Sequence, residues 1–255
     1  MENQPKQPNS DNGFHFADAL ILDDSSTRSF YKNLLQGLIH KNNNTLGVIQ
    51  GFATLLSMEE GLNAEMIENI DHMRHAITQS SELAKIILTA GGCATVDNKS
   101  CDIAVMLPHL EQSCRTLCEQ IGATLQINQA PNLPSVLSDT GRFNDVIREL
   151  VKNAAEACVG SEQADVVIDI LAPGSVSPDD TQHVDIFIRN TCADIPADKL
   201  PQIFQPFYTT KDNSHQGIGL TTAGVLAGQM GMRLGLRSSE GTTTAWLSVQ
   251  TAPTS

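Results

Sequence analysis

Residues 149–157, with the sequence Glu149-Leu-Val-Lys-Asn-Ala-Ala-Glu-Ala157, decide how the C-terminal half of the chain is interpreted. In an amphipathic helix Glu149 and Asn153 lie one turn apart on one face, so their carboxylate and amide are able to share a hydrated Mg²⁺ ion. Two motifs follow, Phe204-Gln-Pro-Phe-Tyr-Thr-Thr-Lys211 and Gly217-Ile-Gly-Leu220. Glycines before an apolar helical run bring backbone N–H groups and a helix N-terminus against phosphates. Each motif alone is as typical of a buried helix or an ordinary glycine turn, but the three in this order predict a nucleotide site.

The composition excludes several classes of partner. The chain has 255 residues, 40% of them hydrophobic, which is enough for two modest domains with ordinary cores. Its formal net charge of −13 argues against nucleic acid or anionic lipid, because both bind clustered Lys and Arg. No apolar run approaches the ~20 residues that a membrane span needs, so we expect a cytoplasmic protein without a membrane span.

The six cysteines lack the spacing of a metal site. They lie at positions 93, 101, 114, 118, 158 and 192, without the paired CxxC motifs that zinc sites use. Cys114 and Cys118 are four residues apart, but no further Cys or His lies near them. We interpret all six as reduced thiols, with Cys114 and Cys118 filling a core.

A helical hairpin is predicted for residues 25–92, after a polar tail at residues 1–24. With Leu35 at heptad position a, the first helix has a seam whose members are mostly apolar: Leu35, Leu38, Asn42, Thr45, Ile49, Phe52 and Leu56. The second helix repeats the pattern until Gly91-Gly92 ends it, with Met66, Ile70, Met73, Ile77, Ala84 and Ile87. Two such helices bury only one stripe each, so we expect a homodimer in which two hairpins form a four-helix bundle.

The remainder, residues 101–250, is predicted to be an α/β sandwich in which helices cover one face of a sheet. Residues 94–101 form a polar link to it. Short β-rich runs alternate with helical ones: strands at 123–128, 165–170, 183–188 and 243–249, and helices at about 140–159 and 218–231. The fold class is therefore α+β, with an N-terminal helical hairpin and a C-terminal sandwich.

The stretch Leu35-Gln-Gly-Leu-Ile-His-Lys-Asn-Asn-Asn-Thr-Leu-Gly-Val-Ile-Gln-Gly-Phe-Ala-Thr-Leu-Leu56 resembles the phosphoacceptor helix of two-component sensor histidine kinases, with His40 at the phosphorylated position. In the heptad frame His40 falls at position f, on the exposed side of the helix. Together with the nucleotide motifs, the resemblance runs from about residue 25 to about residue 250. It implies ATP-dependent autophosphorylation of His40 and transfer of the phosphoryl group to an aspartate of a response-regulator receiver domain, with ATP and Mg²⁺ as cofactors. It also implies a separate sensor protein or ligand as the source of the signal.

The resemblance implies roles for further residues. His40, Asn44 and Glu149 would be catalytic, with Glu149 as the possible general base and Asn44 positioning the water that dephosphorylates a receiver. Asn153 would bind the metal. The other nucleotide-binding residues implied in this way are Asn190, Phe204, Lys211, Gly217 and Gly219, with Phe204 and Phe207 at the base of the lid.

Several positions depart from the family pattern. Lys41 replaces the acidic residue that usually follows the histidine and accepts its proton. The run Asn190-Thr-Cys-Ala-Asp194 replaces an Asp followed by two spaced glycines in the adenine-binding motif, and His215 replaces the first glycine of the last motif. These changes favour an alternative, a pseudokinase that acts as a histidine phosphotransferase or response-regulator phosphatase with weak or no ATP binding. A third class, a chaperone or mismatch-repair ATPase, is disfavoured by the His40 helix.

Overall fold

The computed structural model describes residues 14–15, 25–159, 164–211 and 216–253. The chain divides into two compact units, residues 22–94 and residues 95–255 together with Met1–Ile21. The first unit is helical, and the second combines helices with a sheet.

The helical unit is a hairpin of two long helices, α1 (Ser25–Leu56) and α2 (Ala64–Ala90). The Asn63 side chain caps the start of α2 by accepting a hydrogen bond from the Met66 N–H at 2.8 Å. The start of α1 packs against the end of α2, where a Cβ at Gly91 would collide with the Leu35 side chain. The hairpin that the sequence predicts is therefore present.

The apolar residues of the hairpin divide between two surfaces. Ala53, Ile70, Ile77 and Ala84 are buried where the helices pack on each other. Seam residues of α1 such as Leu38 and Phe52 remain 57% and 62% exposed. The predicted seam is thus only partly used within one chain, and a second apolar surface is left uncovered.

The second unit contains three helices and eight short strands among the described residues. The helices are α3 (Ile103–Ile121), α4 (Thr140–Ala157) and α5 (Gly219–Gln229). The strands are β1 (Phe14–His15), β2 (Lys99–Cys101), β3 (Thr124–Gln129), β4 (Val136–Ser138), β5 (Asp165–Leu171), β6 (His183–Thr191), β7 (Arg233–Ser239) and β8 (Thr242–Gln250). The predicted fold class, with a helical N-terminal region and a C-terminal α/β layer, is confirmed.

Six of these strands form one sheet in the order β1-β7-β8-β6-β5-β3. β3 and β5 are parallel, because the chain crosses over between them through α4, and the other neighbours are antiparallel. β2 and β4 form a separate antiparallel pair. The core lies between the sheet and the helices.

Helix α4 is positioned by its N-cap and by its buried face. The Asp139 carboxylate accepts hydrogen bonds from the Arg142 N–H at 3.1 Å and the Asp97 N–H at 3.0 Å, and these bonds lower the pKa of Asp139. The residues buried along the helix repeat at intervals of three and four: Phe143, Val146, Ile147, Leu150, Val151, Ala154 and Ala155. This packing leaves Glu149 and Asn153 at the edge of the buried face.

Four of the strands, β1, β2, β4 and β7, were not predicted from the sequence. β1 lies within the predicted polar tail, yet Phe14 pairs with Leu236 at the edge of the large sheet. β2 begins inside the predicted polar link, and β7 carries the mixed sequence Arg-Leu-Gly-Leu-Arg-Ser-Ser. None of the helices among the described residues is both long and apolar enough to cross a membrane.

Candidate functional site

Three of the predicted nucleotide-site residues lie together where α4 meets the start of α5. Asn153 Nδ2 donates one of its two hydrogens to the backbone oxygen of Glu149 at 2.9 Å, which fixes the amide and leaves its oxygen available as a ligand atom. A Cβ at Gly219 would lie 2.5 Å from Glu149 Oε2 and 3.7 Å from Asn153 Nδ2. Any side chain at position 219 would therefore displace the carboxylate.

The environment of Glu149 changes its acidity. Burial raises the pKa of the Glu149 carboxyl, and the nearby Lys152 ammonium opposes that rise. A carboxylate held in a partly desolvated site is a better proton acceptor than an exposed one. Glu149 thus has the environment of a general base.

One turn further along α4, Lys211 comes to the same edge of the helix. Its Nζ donates to Glu156 Oε2, and Lys152 Nζ lies 3.9 Å from the other Glu156 oxygen. The Thr-Thr-Lys motif therefore approaches α4 at Glu156, three residues after Asn153. The resemblance implies a place for Lys211 near phosphates, but the contact with Glu156 was not predicted.

Phe204, at the base of the lid, is buried, whereas Phe207 and Gly217 have positive φ angles. Phe204 is 2% exposed, and its carbonyl accepts a hydrogen bond from Thr221 Oγ1 of α5 at 2.9 Å. Phe207 has φ 65° and is 60% exposed. Gly217 has φ 64°, and a Cβ there would lie 2.7 Å from the Tyr208 carbonyl oxygen, so only glycine fits. Position 215, where the family pattern is broken by His215, lies outside the described residues.

Asn190 is buried at the end of β6. It is 4% exposed, and its Nδ2 has no oxygen or nitrogen acceptor among the described residues. The side chain instead hydrogen-bonds to the Cys158 thiol at the end of α4, which opposes the rise in the pKa of that thiol caused by burial. Because sulfur is a weak acceptor, a ligand that supplies a nitrogen or oxygen acceptor is able to compete for this amide.

Cys192 and Asp194, the two substituted positions of the adenine motif, form hydrogen bonds with the turn between β7 and β8. Asp194 Oδ1 accepts from the Gly241 N–H at 2.9 Å, and the Cys192 N–H donates to the Gly241 carbonyl at 3.0 Å. Cys192 Sγ lies 3.4 Å from Thr243 Oγ1. Both side chains thus have structural partners. The role of Gly241 was not predicted, because a Glu-Gly pair is a weaker signal of a two-residue hairpin turn than Asn-Gly or Asp-Gly, although Glu240 and Gly241 both have the positive φ of such a turn, 55° and 73°.

In the other unit, His40 is exposed on α1, as its heptad position predicts. Asn44 Nδ2 lies 3.5 Å from His40 Nε2, so the amide is able to donate to that nitrogen when the ring proton is on Nδ1. Thr45 Oγ1 donates to the Lys41 carbonyl at 3.2 Å, a bond that tends to bend helices. His40 and Asn44 are therefore neighbours one helical turn apart.

Two oxygen donors at the α4 edge have the chemistry of a magnesium site. No cluster of three or more His, Cys, Asp or Glu side chains in the described ranges could hold a metal ion. The Glu149 carboxylate and the Asn153 amide oxygen are hard donors of the kind that Mg²⁺ accepts, and Mg²⁺ usually keeps several waters. This pair fits a hydrated Mg²⁺ ion that is also bound by a ligand's phosphates.

Comparison with known proteins identifies the sandwich. Residues 138–253 match the family described as histidine kinase-, DNA gyrase B- and HSP90-like ATPase. The chain is 26% identical over 224 residues to the sensory histidine kinase/phosphatase NtrB of Rhodobacter capsulatus, covering 85% of this chain and 61% of that protein. It is 26% identical over 227 residues to the sensor histidine kinase ZraS of Escherichia coli K12, covering 85% of this chain and 45% of that protein. The chain thus spans about half to three fifths of the length of these relatives.

Solved structures show the same fold. Full-length ShkA in complex with AMPPNP superposes with a TM-score of 0.69 at 21% identity, covering 87% of this chain and 47% of ShkA. The Acinetobacter baumannii histidine kinase AdeS superposes with a TM-score of 0.53 at 12% identity, covering 84% of this chain and 98% of that chain. The matches in sequence confirm the resemblance to sensor histidine kinases, and the superpositions confirm the fold that it implies.

Proposed function

Because residues 138–253 carry a histidine kinase-, DNA gyrase B- and HSP90-like ATPase domain, we propose that this protein is a histidine kinase of a two-component system. It transfers the γ-phosphoryl group of ATP to His40 and then to an aspartate of a receiver domain. The observation that carries this proposal is the convergence of Glu149, Asn153 and Gly219 within that domain. The same chain carries an exposed histidine on a long helix, which a phosphoacceptor requires.

We assign the nucleotide site to one edge of α4, which runs from Glu149 and Asn153, beside Gly219, to Cys158, beside Asn190. Asn190 recognises the adenine through its buried amide, and Gly217 and Gly219 admit the phosphates at the start of α5. Phe204 anchors the base of the lid, and Lys211 leaves Glu156 to neutralise phosphate charge. ShkA was solved in complex with AMPPNP, an ATP analogue, which supports ATP as the nucleotide.

A Mg²⁺ ion would be held by Asn153, with Glu149 orienting its water. When bound there, Mg²⁺ neutralises the negative charge of the phosphates. Glu149 serves as proton acceptor for the transfer, since burial already favours its protonated form. These roles are carried by side chains of α4 alone.

At His40, the neutral imidazole attacks through Nε2, whose lone pair is free when the ring proton is on Nδ1 and the Asn44 amide, 3.5 Å away, does not donate to it. Attack forms an N–P bond to the γ-phosphorus as the bond to the leaving ADP oxygen breaks. Lys41 is a cation and accepts no proton. The proton on Nδ1 must therefore pass to another group, and we assign that task to Glu149 or to water.

A second activity, phosphatase action on the receiver, is favoured by the position of Asn44. Its amide lies one turn from His40 and is exposed, so it is able to orient a water molecule. The name of the Rhodobacter capsulatus relative includes both kinase and phosphatase. The comparisons give no support to the pseudokinase alternative.

Several further features of the protein belong to this proposal. We assign residues 25–92 to the dimerisation and phosphoacceptor hairpin and residues 101–250 to the ATPase domain. The protein acts as a homodimer through the hairpin, receives its signal from a separate sensor protein or ligand, and works in the cytoplasm. Residues 1–24 precede these two parts.

Two substitutions beside His40 test the two activities. Lys41→Glu supplies a second proton acceptor, directly beside His40, and should raise the rate of His40 labelling by ATP by about 10²-fold. Asn44→Ala should leave that labelling unchanged and slow the loss of phosphate from a receiver domain. Asn43→Ala, the neighbouring asparagine on a different face of α1, is the control and should change neither rate. If Lys41→Glu gave no gain while Asn44→Ala still slowed dephosphorylation, the phosphatase alone would remain.

A further inference from the structure

The face of the large sheet that lies opposite the helices carries two arginines side by side. Val184, Ile186 and Ile188 of β6 are buried on the helix side, so Arg189 points to the other side. Arg189 of β6 and Arg237 of β7 both pair in register with Thr244 of β8, which lies between them. Their side chains therefore flank one position of the sheet.

Neither guanidinium is fully satisfied. Arg189 donates from one terminal nitrogen to Asp169 Oδ2, but its Nε is buried and has no hydrogen-bond partner within the described ranges. Arg237 is half-buried and forms no hydrogen bond or ion pair with the residues that the structure describes. Burial, together with the charge of Arg189, lowers the pKa of Arg237. Two neighbouring cations with unused donors are costly unless an anion binds between them.

Asp169, the acidic residue beside Arg189, is not the anion that binds between the two arginines. Asp169 accepts from Asn128 Nδ2 at 2.8 Å on one oxygen and from Arg189 on the other, so both of its oxygens are engaged. Two guanidinium groups and one carboxylate leave a single net positive charge at the site. That charge matches a carboxylate, which is monoanionic, better than a phosphate group, which is largely dianionic at neutral pH.

The surroundings indicate a polypeptide rather than a small molecule. The site lies on the sheet face opposite the described helices, whereas small molecules bind in concave pockets. The adjacent cross-strand row contains Phe187 paired with Trp246, and the Trp246 ring lies over Gly235, where a Cβ would collide with it. Arginine beside large aromatic residues is the composition of interface hot spots.

We propose that Arg189 and Arg237 form a docking site for a carboxylate side chain of an acidic protein segment. The charge of the protein makes this site selective. With a net charge of −13, the protein as a whole repels an acidic partner, so binding of such a partner needs a local cluster of cations such as this pair. The proposal does not depend on ATP binding or on His40.

The test is fluorescence anisotropy of the full chain at near-physiological salt. The probe is a short fluorescein-labelled peptide in which glutamate alternates with leucine. Arg237→Gln should weaken its binding at least about 10-fold, because a charge-assisted hydrogen bond is lost. Arg237→Lys, which keeps the charge but not the planar fork, should bind with intermediate affinity.

Arg233→Gln is the matched control. Arg233 lies on the same strand and face, but it already pairs with Asp180 at 3.2 Å, so its loss should change peptide affinity less than about two-fold. Arg237→Gln should also unfold at the same or a higher temperature than the wild type, because it removes an unpaired cation.

Four results would overturn the proposal. These are absence of peptide binding to the wild type at millimolar concentration, equal weakening by Arg233→Gln and Arg237→Gln, and equal binding of a peptide with glutamine in place of glutamate. The fourth is displacement of the peptide by inorganic phosphate but not by acetate, which would assign the site to phosphate instead.

Discussion

The two units of the chain differ in how completely they bury their apolar side chains. Among the described residues, sixteen large apolar side chains are exposed, and thirteen of them lie in residues 22–94. The other three, Val105, Val159 and Phe207, are scattered over the much larger sandwich. The sandwich completes its core within one chain, whereas the hairpin leaves an apolar surface that we assign to a second copy.

The largest effect is expected from charged substitutions in the exposed apolar surface of the hairpin, and it is an effect on dimerisation. Leu38→Glu combined with Phe52→Glu places two carboxylates in the proposed dimer interface. Burying unpaired charges costs several kcal/mol, so the dissociation constant of the dimer should rise by about 10³-fold or more. Light scattering at micromolar concentration should show twice the chain mass for the wild type and a single chain mass for the variant.

Val105→Glu provides the control in the sandwich. Val105 is 70% exposed on α3, so the same kind of substitution should leave mass and unfolding temperature unchanged. A wild-type protein that is monomeric at micromolar concentration would contradict the assignment of the apolar surface.

A smaller effect is expected within the sandwich, at Asn153. Asn153→Ala removes the amide oxygen proposed to bind Mg²⁺ and should reduce labelling of His40 by about 10²-fold or more, while the protein stays dimeric. Asn144→Ala on the same helix is the control, since the buried Asn144 Oδ1 has no hydrogen-bond partner in the described part of the chain. Equal labelling by both variants would remove Asn153 from the site.

The same contrast between the units shows what could be predicted from the sequence. The apolar spacing of α1 predicts the helix, but it does not say which apolar residues contact α2 and which face outward. Leu35 and Ala53 pack within the hairpin, whereas Leu38 and Phe52 do not. The distinction depends on where α2 lies, and a periodic pattern does not contain that information.

In the sandwich, the main elements could be predicted because α4, β5, β6 and β8 have strong periodicity. β7 could not, since Gly235 makes room for the Trp246 ring and the two arginines interrupt its apolar run. The contact between Lys211 and Glu156 also could not be predicted, because these residues lie 55 positions apart and meet only through the tertiary fold.

A moderate effect is expected at the substituted adenine motif. Cys192→Gly together with Asp194→Gly restores the spaced glycines and should tighten nucleotide binding by about 10-fold if the added side chains obstruct the ligand. The same change removes the bond from Asp194 to Gly241 and should lower the free energy of unfolding by about 1 kcal/mol.

Titration calorimetry and thermal unfolding measure these two quantities separately. Cys192→Ala keeps a Cβ and should change nucleotide affinity little. Unchanged or weaker binding by the double-glycine variant would mean that the loop, held by Gly241, already has the geometry that the nucleotide needs.

The smallest effect concerns stability and pH. The pKa of Glu149 is higher in the folded protein than in the unfolded chain, because burial disfavours the charged form. The folded state therefore binds the proton more tightly, and the stabilising contribution of the protonated carboxyl is lost as pH rises from the unfolded pKa through the folded one. Glu149→Gln should flatten this part of the stability curve. A curve that keeps its slope in the variant would assign that slope to another group.

The central claim is that the ATPase domain phosphorylates His40, and one labelling experiment tests it most directly. The purified chain is incubated with γ-labelled ATP and Mg²⁺, and His40→Gln is treated in parallel, since an exposed position tolerates the substitution without loss of fold. We expect an acid-labile, base-stable label on the wild-type protein and none on His40→Gln. Label of the same stability that persists in His40→Gln, or no label on the wild type at saturating ATP, would contradict the account.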